Sequence, residues 1–282
     1  MKTISTAADM QQTVLALRAQ GKRIGFVPTM GNLHEGHLSL IRIAREQADV
    51  VIVSLFVNPM QFGPNEDFDA YPRTFERDRA LCEETGADLL FHPALEDIYP
   101  EGASVSVTES ALSRTLCGAA RPGHFDGVCT VVAKLFNIVL PHFAVFGAKD
   151  AQQLRVIRRM VRDLRFPVEI VAGPTVREPD GLALSSRNQY LTAEQRPQAT
   201  CLRRALDEAE RLFAAGERNP DAITVAMRKL IESEPDAKID YVSIVDDETL
   251  QPLDGPITAP VLIALAVRVG SPRLIDNTPL RP

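Results

Sequence analysis

The order of apolar segments predicts a doubly wound α/β parallel sheet followed by a smaller α+β domain at the C-terminus. Residues 50–57 form an apolar run interrupted only by Ser54, the pattern of a parallel strand covered on both faces. Runs of this kind alternate with helical patterns as far as Val171. That alternation implies crossover connections and a sheet whose ligands bind at the carboxyl ends of its strands. Beyond Gln198, two helical patterns precede two strand-like segments, which suits a separate α+β domain.

Taken in order, residues 6–20 place Val14, Leu15 and Leu17 on a helical pattern that Gly21 ends. Residues 23–28 are the first strand, and a helix is expected from about residue 38 to 47. A helix over 74–85, a short strand over 88–91 and an apolar helix over 130–139 follow the 50–57 strand. Strands at 144–147 and 168–171 flank a helix over 151–164. Helices are expected at 198–215 and 221–232, the second started by the capping pair Asn219-Pro220. Strands at 239–245 and 261–269 come last, with a turn between them at Asp254-Gly255. The expected division is 1–175 and 176–282, the second domain covering the active-site cleft.

Composition narrows the function. A chain of 282 residues, 45% hydrophobic and 24% charged, can bury a full core and is ordinary for a soluble globular protein. A net charge of -6 argues against nucleic-acid binding, which needs clustered Lys and Arg. Cys82, Cys117, Cys129 and Cys201 form no C-x-x-C pair and read as reduced thiols rather than a zinc or redox motif. With no leader-like apolar region and no membrane-length apolar run, the expected setting is the cytoplasm, with no membrane partner.

His34-Glu35-Gly36-His37 lies where the first strand gives way to a helix. The N–H groups opening a helix favour an anion, Gly36 lets a ligand approach the backbone, and two imidazoles add donors for charge developing on a triphosphate. A lone His-x-x-His would also suit an ordinary helix start or a zinc pair. No third ligand lies nearby, however, and His92, His124 and His142 are scattered. Loops at 28–37, 58–62 and 147–150 all fall at strand ends, and their coincidence weighs more than any one of them. Ser185-Ser186-Arg187-Asn188 follows the turn Pro179-Asp180-Gly181 and is expected to border the same cleft from the second domain.

Six segments together closely resemble the pantoate-β-alanine ligase family: Pro28-Thr29-Met30-Gly31, His34-Glu35-Gly36-His37, Asn58-Pro59-Met60-Gln61-Phe62, Tyr71-Pro72-Arg73-Thr74, Gly147-Ala148-Lys149-Asp150 and Ser185-Ser186-Arg187-Asn188-Gln189-Tyr190-Leu191. Their order and spacing span essentially the whole chain, which makes the resemblance specific. It implies a Rossmann-like first domain of the HxGH nucleotidyltransferase-like kind. It also implies ATP-dependent condensation of (R)-pantoate with β-alanine through pantoyl adenylate, releasing AMP and pyrophosphate in coenzyme A precursor synthesis. Mg²⁺ and a homodimer formed through the N-terminal domain are implied as well.

Residue by residue, the resemblance implies ATP contacts from Met30, Gly31, Asn32, Leu33, His34, Glu35, Gly36 and His37, and from Gly147, Ala148, Lys149 and Asp150. Val176, Leu184, Ser185, Ser186 and Arg187 complete that set. His37 is implied as proton donor, with His34 and Lys149 also catalytic, although fixing ATP geometry alone fits His37 equally. Gln61 matches the pantoate and β-alanine position and Gln153 the pantoate position. Asp78 is a candidate Mg²⁺ contact and reads equally as a solvated helix carboxylate. Arg121 and His124 lie in a loop that suits a lid. Ala148, Ala151 and Leu184 depart from the family's frequent Glu, aromatic and Met, and none of the three changes removes a proposed charged or hydrogen-bonding group. The rival readings are a nucleotidylyltransferase using the same His-x-Gly-His site and an inactive binder of ATP and pantoate. An aminoacyl-tRNA synthetase-like role is disfavoured, because the acidic chain has no evident basic extension.

Overall fold

A computed structural model describes residues 1–64 and 66–282. The first elements are β1 (Lys2–Ile4), α1 (Ala7–Ala19), β2 (Ile24–Thr29), α2 (Glu35–Arg45), β3 (Val50–Leu55), α3 (Phe75–Thr85), β4 (Leu89–Phe91) and α4 (Leu95–Ile98). They are followed by α5 (Leu116–Ala120), α6 (His124–Val139), β5 (Phe143–Gly147), α7 (Ala151–Asp163) and β6 (Glu169–Gly173). The last are α8 (Gln195–Gln198), α9 (Cys201–Ala214), α10 (Pro220–Glu232), β7 (Ala237–Asp246), β8 (Val261–Val269) and β9 (Arg273–Leu280). Two compact units form: Met1–Glu109 with Arg121–Ala148 and Val156–Pro174, and Ser110–Ala120 with Lys149–Arg155 and Thr175–Pro282.

The first unit holds a six-stranded sheet in the order β1-β4-β3-β2-β5-β6, with every pairing parallel. From β2 the chain steps outward through β3 to β4, then returns to place β5 against the other edge of β2. The order therefore reverses between β2 and β5, the place where open α/β sheets leave a ligand crevice beyond the strand ends. Ile24, Phe26 and Val27 of β2 and Val51, Ile52 and Val53 of β3 are fully buried, so both faces of the central strands are covered. Val27, Val51, Val53 and Phe143 share one apolar cluster with Ile41 and Ala44 of α2.

Two helices in this unit start earlier than their apolar patterns suggest. α2 begins at Glu35 rather than near Leu38, because its first turn is polar and contains Gly36. α6 begins at His124 rather than Thr130, and Gly127 interrupts its apolar pattern. That glycine is there for space: a Cβ on it would lie 2.2 Å from the Met60 carbonyl oxygen in the short turn Pro59–Gln61.

In the second unit β7, β8 and β9 form an antiparallel sheet in that order. α9 and α10 bury Leu202, Leu206, Phe213, Ile223, Met227 and Ile231 in one core with Ile263, Leu265 and Val267 of β8. Asn219 caps α10 by accepting the Asp221 N–H at 2.9 Å, with Pro220 in the first turn. β9 is an element the sequence did not suggest, since Asp276, Asn277 and Pro279 break the strand pattern. As an edge strand it tolerates Pro279, and buried Asp276 accepts from both Arg177 terminal nitrogens, at 2.6 and 2.9 Å. Asp254-Gly255 only bends the chain; the turn after β7 is at residues 247–249, where the Asp246 carboxylate accepts the Thr249 N–H at 2.7 Å. No helix among the described residues is long and apolar enough to cross a membrane.

Replacing Gly127 by Ala should destabilise the protein by about 1–3 kcal/mol, the usual cost of overpacking, because the opposing atoms are backbone. Chemical denaturation reads this as a lower midpoint at unchanged slope; an unchanged midpoint would mean that α6 and the 59–61 turn separate readily.

Candidate active site

The exit from β2 sets the geometry of the first unit's site. Gly31 and Asn32 both take positive φ, +83° and +49°, which turns the chain sharply between strand and helix. Thr29 ties the turn down: its hydroxyl donates to the Ser54 carbonyl at 2.9 Å and accepts the Gly31 N–H at 3.2 Å. The buried Asp78 carboxylate accepts the N–H groups of Asn32 and Leu33, each at 2.8 Å.

His34 is the N-cap of α2 and His37 lies in its first turn. His34 Nδ1 accepts the Gly36 N–H at 3.2 Å, while His37 Nδ1 accepts the His34 N–H at 3.3 Å. A backbone N–H can only donate, so both Nδ1 atoms are acceptors and each neutral ring carries its proton on Nε2. The rings lie 4.1 Å apart and offer two Nε2–H donors at a helix N-terminus, an arrangement suited to an anion. Glu35 is exposed and pairs with Arg42, whose hydrogen bond lowers its pKa.

Gln61 sits beside this turn, its side-chain nitrogen 3.0 Å from the Met30 sulfur. Its position is heavily determined. Asn58 donates to Gln61 Oε1 and to the Gly127 carbonyl, each at 3.1 Å, and accepts from the Tyr99 hydroxyl at 2.8 Å. Burial pushes the Tyr99 phenol up to about 12, which keeps it a donor. The Gln61 carbonyl accepts from His124 Nδ1 at 2.8 Å and from Arg121 at 3.3 Å, and Glu66 grips Arg121 through two 2.6 Å hydrogen bonds. Arg121 and His124, read from sequence as lid residues, thus hold the backbone of Gln61. At the end of β5, half-buried Gly147 pairs with Gly173, and the Ala148 N–H donates to the Gly173 carbonyl at 2.8 Å.

The second unit carries the other expected residues. Lys149, Asp150 and Gln153 are half-buried, and Asn277 donates to the Lys149 carbonyl at 2.8 Å. Buried Gln152, beside Gln153, accepts the Cys117 N–H at 2.9 Å and donates to the Leu112 and Thr115 carbonyls, both at 2.8 Å. The Val176 carbonyl accepts the Leu184 N–H at 3.0 Å. Ser185 caps the turn Ser186–Tyr190, its hydroxyl accepting the Arg187 N–H at 3.2 Å. Among the described residues no group of three His, Cys, Asp or Glu side chains is placed to hold a metal.

Residues 2–279 match the family described as pantoate-beta-alanine ligase. The chain belongs to this family. It is 57% identical over 278 residues to a pantothenate synthetase of Thermotoga petrophila, covering 99% of each chain. With the Moorella thermoacetica pantothenate synthetase it shares 58% over 280 residues, again covering 99% of each. The crystal structure of pantothenate synthetase from Thermus thermophilus is similar with a TM-score of 0.94 and 49% identity, covering 100% of both chains. A pantoate-beta-alanine ligase from Francisella tularensis complexed with beta-gamma ATP and beta-alanine is similar with a TM-score of 0.79 and 35% identity, covering 99% of this chain and 97% of that one. Family membership makes the chain an ATP-dependent ligase that forms pantothenate, and it disfavours the nucleotidylyltransferase and inactive-binder readings.

Sequence reasoning left Asn58, Glu66, Tyr99 and Gln152 without a role. Only Asn58 and Gln152 carried a signal, each lying close in sequence to an expected glutamine.

Burial raises the pKa of Glu66, but the Arg121 guanidinium and the Gly63 N–H outweigh it and bring the carboxyl to about 2, from an ordinary 4.5. A lowered carboxylate stabilises the fold above its unfolded value and ceases to as pH falls through its folded value. Glu66→Gln should therefore be less stable than the parent at pH 6, with the gap closing between about 4.5 and 2. Denaturation midpoints measured across that range would contradict the ion pair if the gap stayed constant.

Proposed function

We propose that the chain activates pantoate as an adenylate at the turn between β2 and α2 and then transfers the pantoyl group to β-alanine. In the first step a pantoate carboxylate oxygen attacks the α-phosphorus of ATP and pyrophosphate leaves. In the second, the β-alanine nitrogen attacks the activated carbonyl and AMP leaves with the oxygen that linked the two. The observation that carries this reading is the 3.0 Å contact of Gln61 with Met30, which puts an amide suited to hydroxyl and carboxylate groups beside the phosphate-binding turn.

His34 and His37 serve as Nε2–H donors to the charge that grows on the departing pyrophosphate. His37 acts through this hydrogen bond, since protonating its Nδ1 would break the bond from the His34 N–H. Gly147, Ala148, Lys149 and Asp150 form the second ATP segment, with Lys149 as a compact positive charge. Val176 meets ATP through its backbone, and Leu184, Ser185, Ser186 and Arg187 clamp the pyrophosphate. Gln61 and Gln153 hold pantoate, and Gln61 also meets β-alanine. The support for these roles is the family resemblance of the segments that carry them.

Mg²⁺ would be brought by the triphosphate and would supply charge neutralisation at the phosphates. A cytoplasmic setting and a homodimer built through the N-terminal unit complete the proposal.

Exchange of labelled pyrophosphate into ATP, measured without β-alanine, tests it. Exchange should require pantoate, and exchange without pantoate or none in an active enzyme would defeat the adenylate step. His37→Ala should lower the exchange rate about 10²- to 10³-fold, the usual loss of a donor to transition-state charge, with little change in melting temperature. Gln61→Ala should raise the KM for pantoate while ATP binding is retained; equal loss of both ligands would mean a collapsed site.

A further inference from the structure

Asp78 is a charged side chain, only 1% exposed, whose role the reaction scheme above does not supply. It lies in the first turn of α3, where the helix dipole favours a negative charge. Its Oδ1 accepts the Leu33 N–H at 2.8 Å; its Oδ2 accepts the Asn32 N–H at 2.8 Å and the Thr74 hydroxyl at 3.0 Å. Gly31 passes directly over the same oxygen, since a Cβ there would come within 3.0 Å of Oδ2.

We infer that Asp78 is a positioning residue that gathers the β2–α2 turn around its carboxylate, and that it does not ligate Mg²⁺. The turn needs such a device. Asn32 is held at φ +49°, a conformation disfavoured for a residue with a side chain, and its N–H and that of Leu33 must find acceptors away from water. A carboxylate accepts only, and its hydrogen bonds to N–H groups are stronger than neutral ones. Three of its roughly four lone-pair directions are already filled, and solvent does not reach it. A Mg²⁺ ion demands near-ideal octahedral geometry and keeps several waters, which a carboxylate so enclosed cannot provide. The consequence is specific to one substrate: the turn carries His34 and His37, so loss of the carboxylate should disturb ATP and spare pantoate. This inference rests on the proposed ATP role of that turn.

The test is Asp78→Asn, which keeps the size but turns an NH₂ group toward a backbone N–H. Binding of a non-hydrolysable ATP analogue by calorimetry, steady-state kinetics and the free Mg²⁺ giving half-maximal rate at saturating ATP are compared with the parent. ATP affinity should fall about 10- to 100-fold, the scale of losing hydrogen bonds to a charged acceptor. The KM for pantoate and the Mg²⁺ half-saturation should stay within about twofold of the parent, well under the 1.4 kcal/mol of a tenfold change. A Mg²⁺ half-saturation that moves as far as the ATP affinity would overturn the inference in favour of metal ligation. Unchanged ATP affinity, or an equal loss for pantoate, would overturn it too. If Asp78→Asn does not fold, Thr74→Val removes one donor to the same carboxylate and should give a smaller shift confined to ATP, with the same outcomes counting against the idea. Failure of the parent protein to bind the analogue would count against the ATP assignment of the turn instead.

Discussion

A triphosphate brings concentrated negative charge, and in the proposed reading the chain meets it with the N–H groups of a helix start and a pair of imidazoles. The sharp turn from β2 into α2 aims the N-terminus of a helix and two imidazoles at one place. Each imidazole is oriented by a main-chain N–H on its Nδ1. This reciprocal capping ties the tautomer of both rings to the start of the helix, so the turn itself sets Nε2 as the nitrogen that carries the proton. A helix whose own backbone orients the side chains proposed to meet that charge needs little reorganisation as it develops, which is the condition under which electrostatic stabilisation is largest.

The rest of the first unit supports that turn from several sides. β2 is central in the sheet, so the turn emerges where the strand order reverses. Thr29 binds it to β3, and Asp78 binds it to α3. The Asn58 side chain donates to Gln61 and is itself held by hydrogen bonds to the Gly127 carbonyl, the Met60 N–H and the Tyr99 hydroxyl, and the close passage over Gly127 leaves that segment little room to shift. Rigid elements thus hold the residues expected to meet phosphate and acid, in keeping with the need to place reacting groups closely.

Much of this was legible in sequence because it depends on local pattern. Apolar runs such as 50–53 identify covered strands, and Asn219-Pro220 announces a helix start, since both signals are written in adjacent residues. His34-Glu35-Gly36-His37 pointed to the proposed phosphate site for the same reason. What sequence hid depends on partners far along the chain. Asp78 looks like a solvated helix carboxylate until Asn32 and Leu33 reach it across more than forty positions. Arg121 and His124 read as lid residues because nothing local ties them to Gln61. β9 escaped because its polar residues are satisfied by Arg177 and its proline by an edge position. The early starts of α2 and α6 were obscured by glycines that serve close approach and the site.

Adenylation is the claim on which the roles of both histidines and both glutamines depend, and it makes a prediction about a single atom. Pantoate labelled with ¹⁸O in its carboxylate should yield AMP carrying one label in its phosphate, because the oxygen that joined acid to phosphorus leaves with AMP. Mass spectrometry of the nucleotide and pyrophosphate after a single turnover reads this directly. Label in AMP with unlabelled pyrophosphate is the result predicted here; unlabelled AMP, or label in the pyrophosphate, would contradict it.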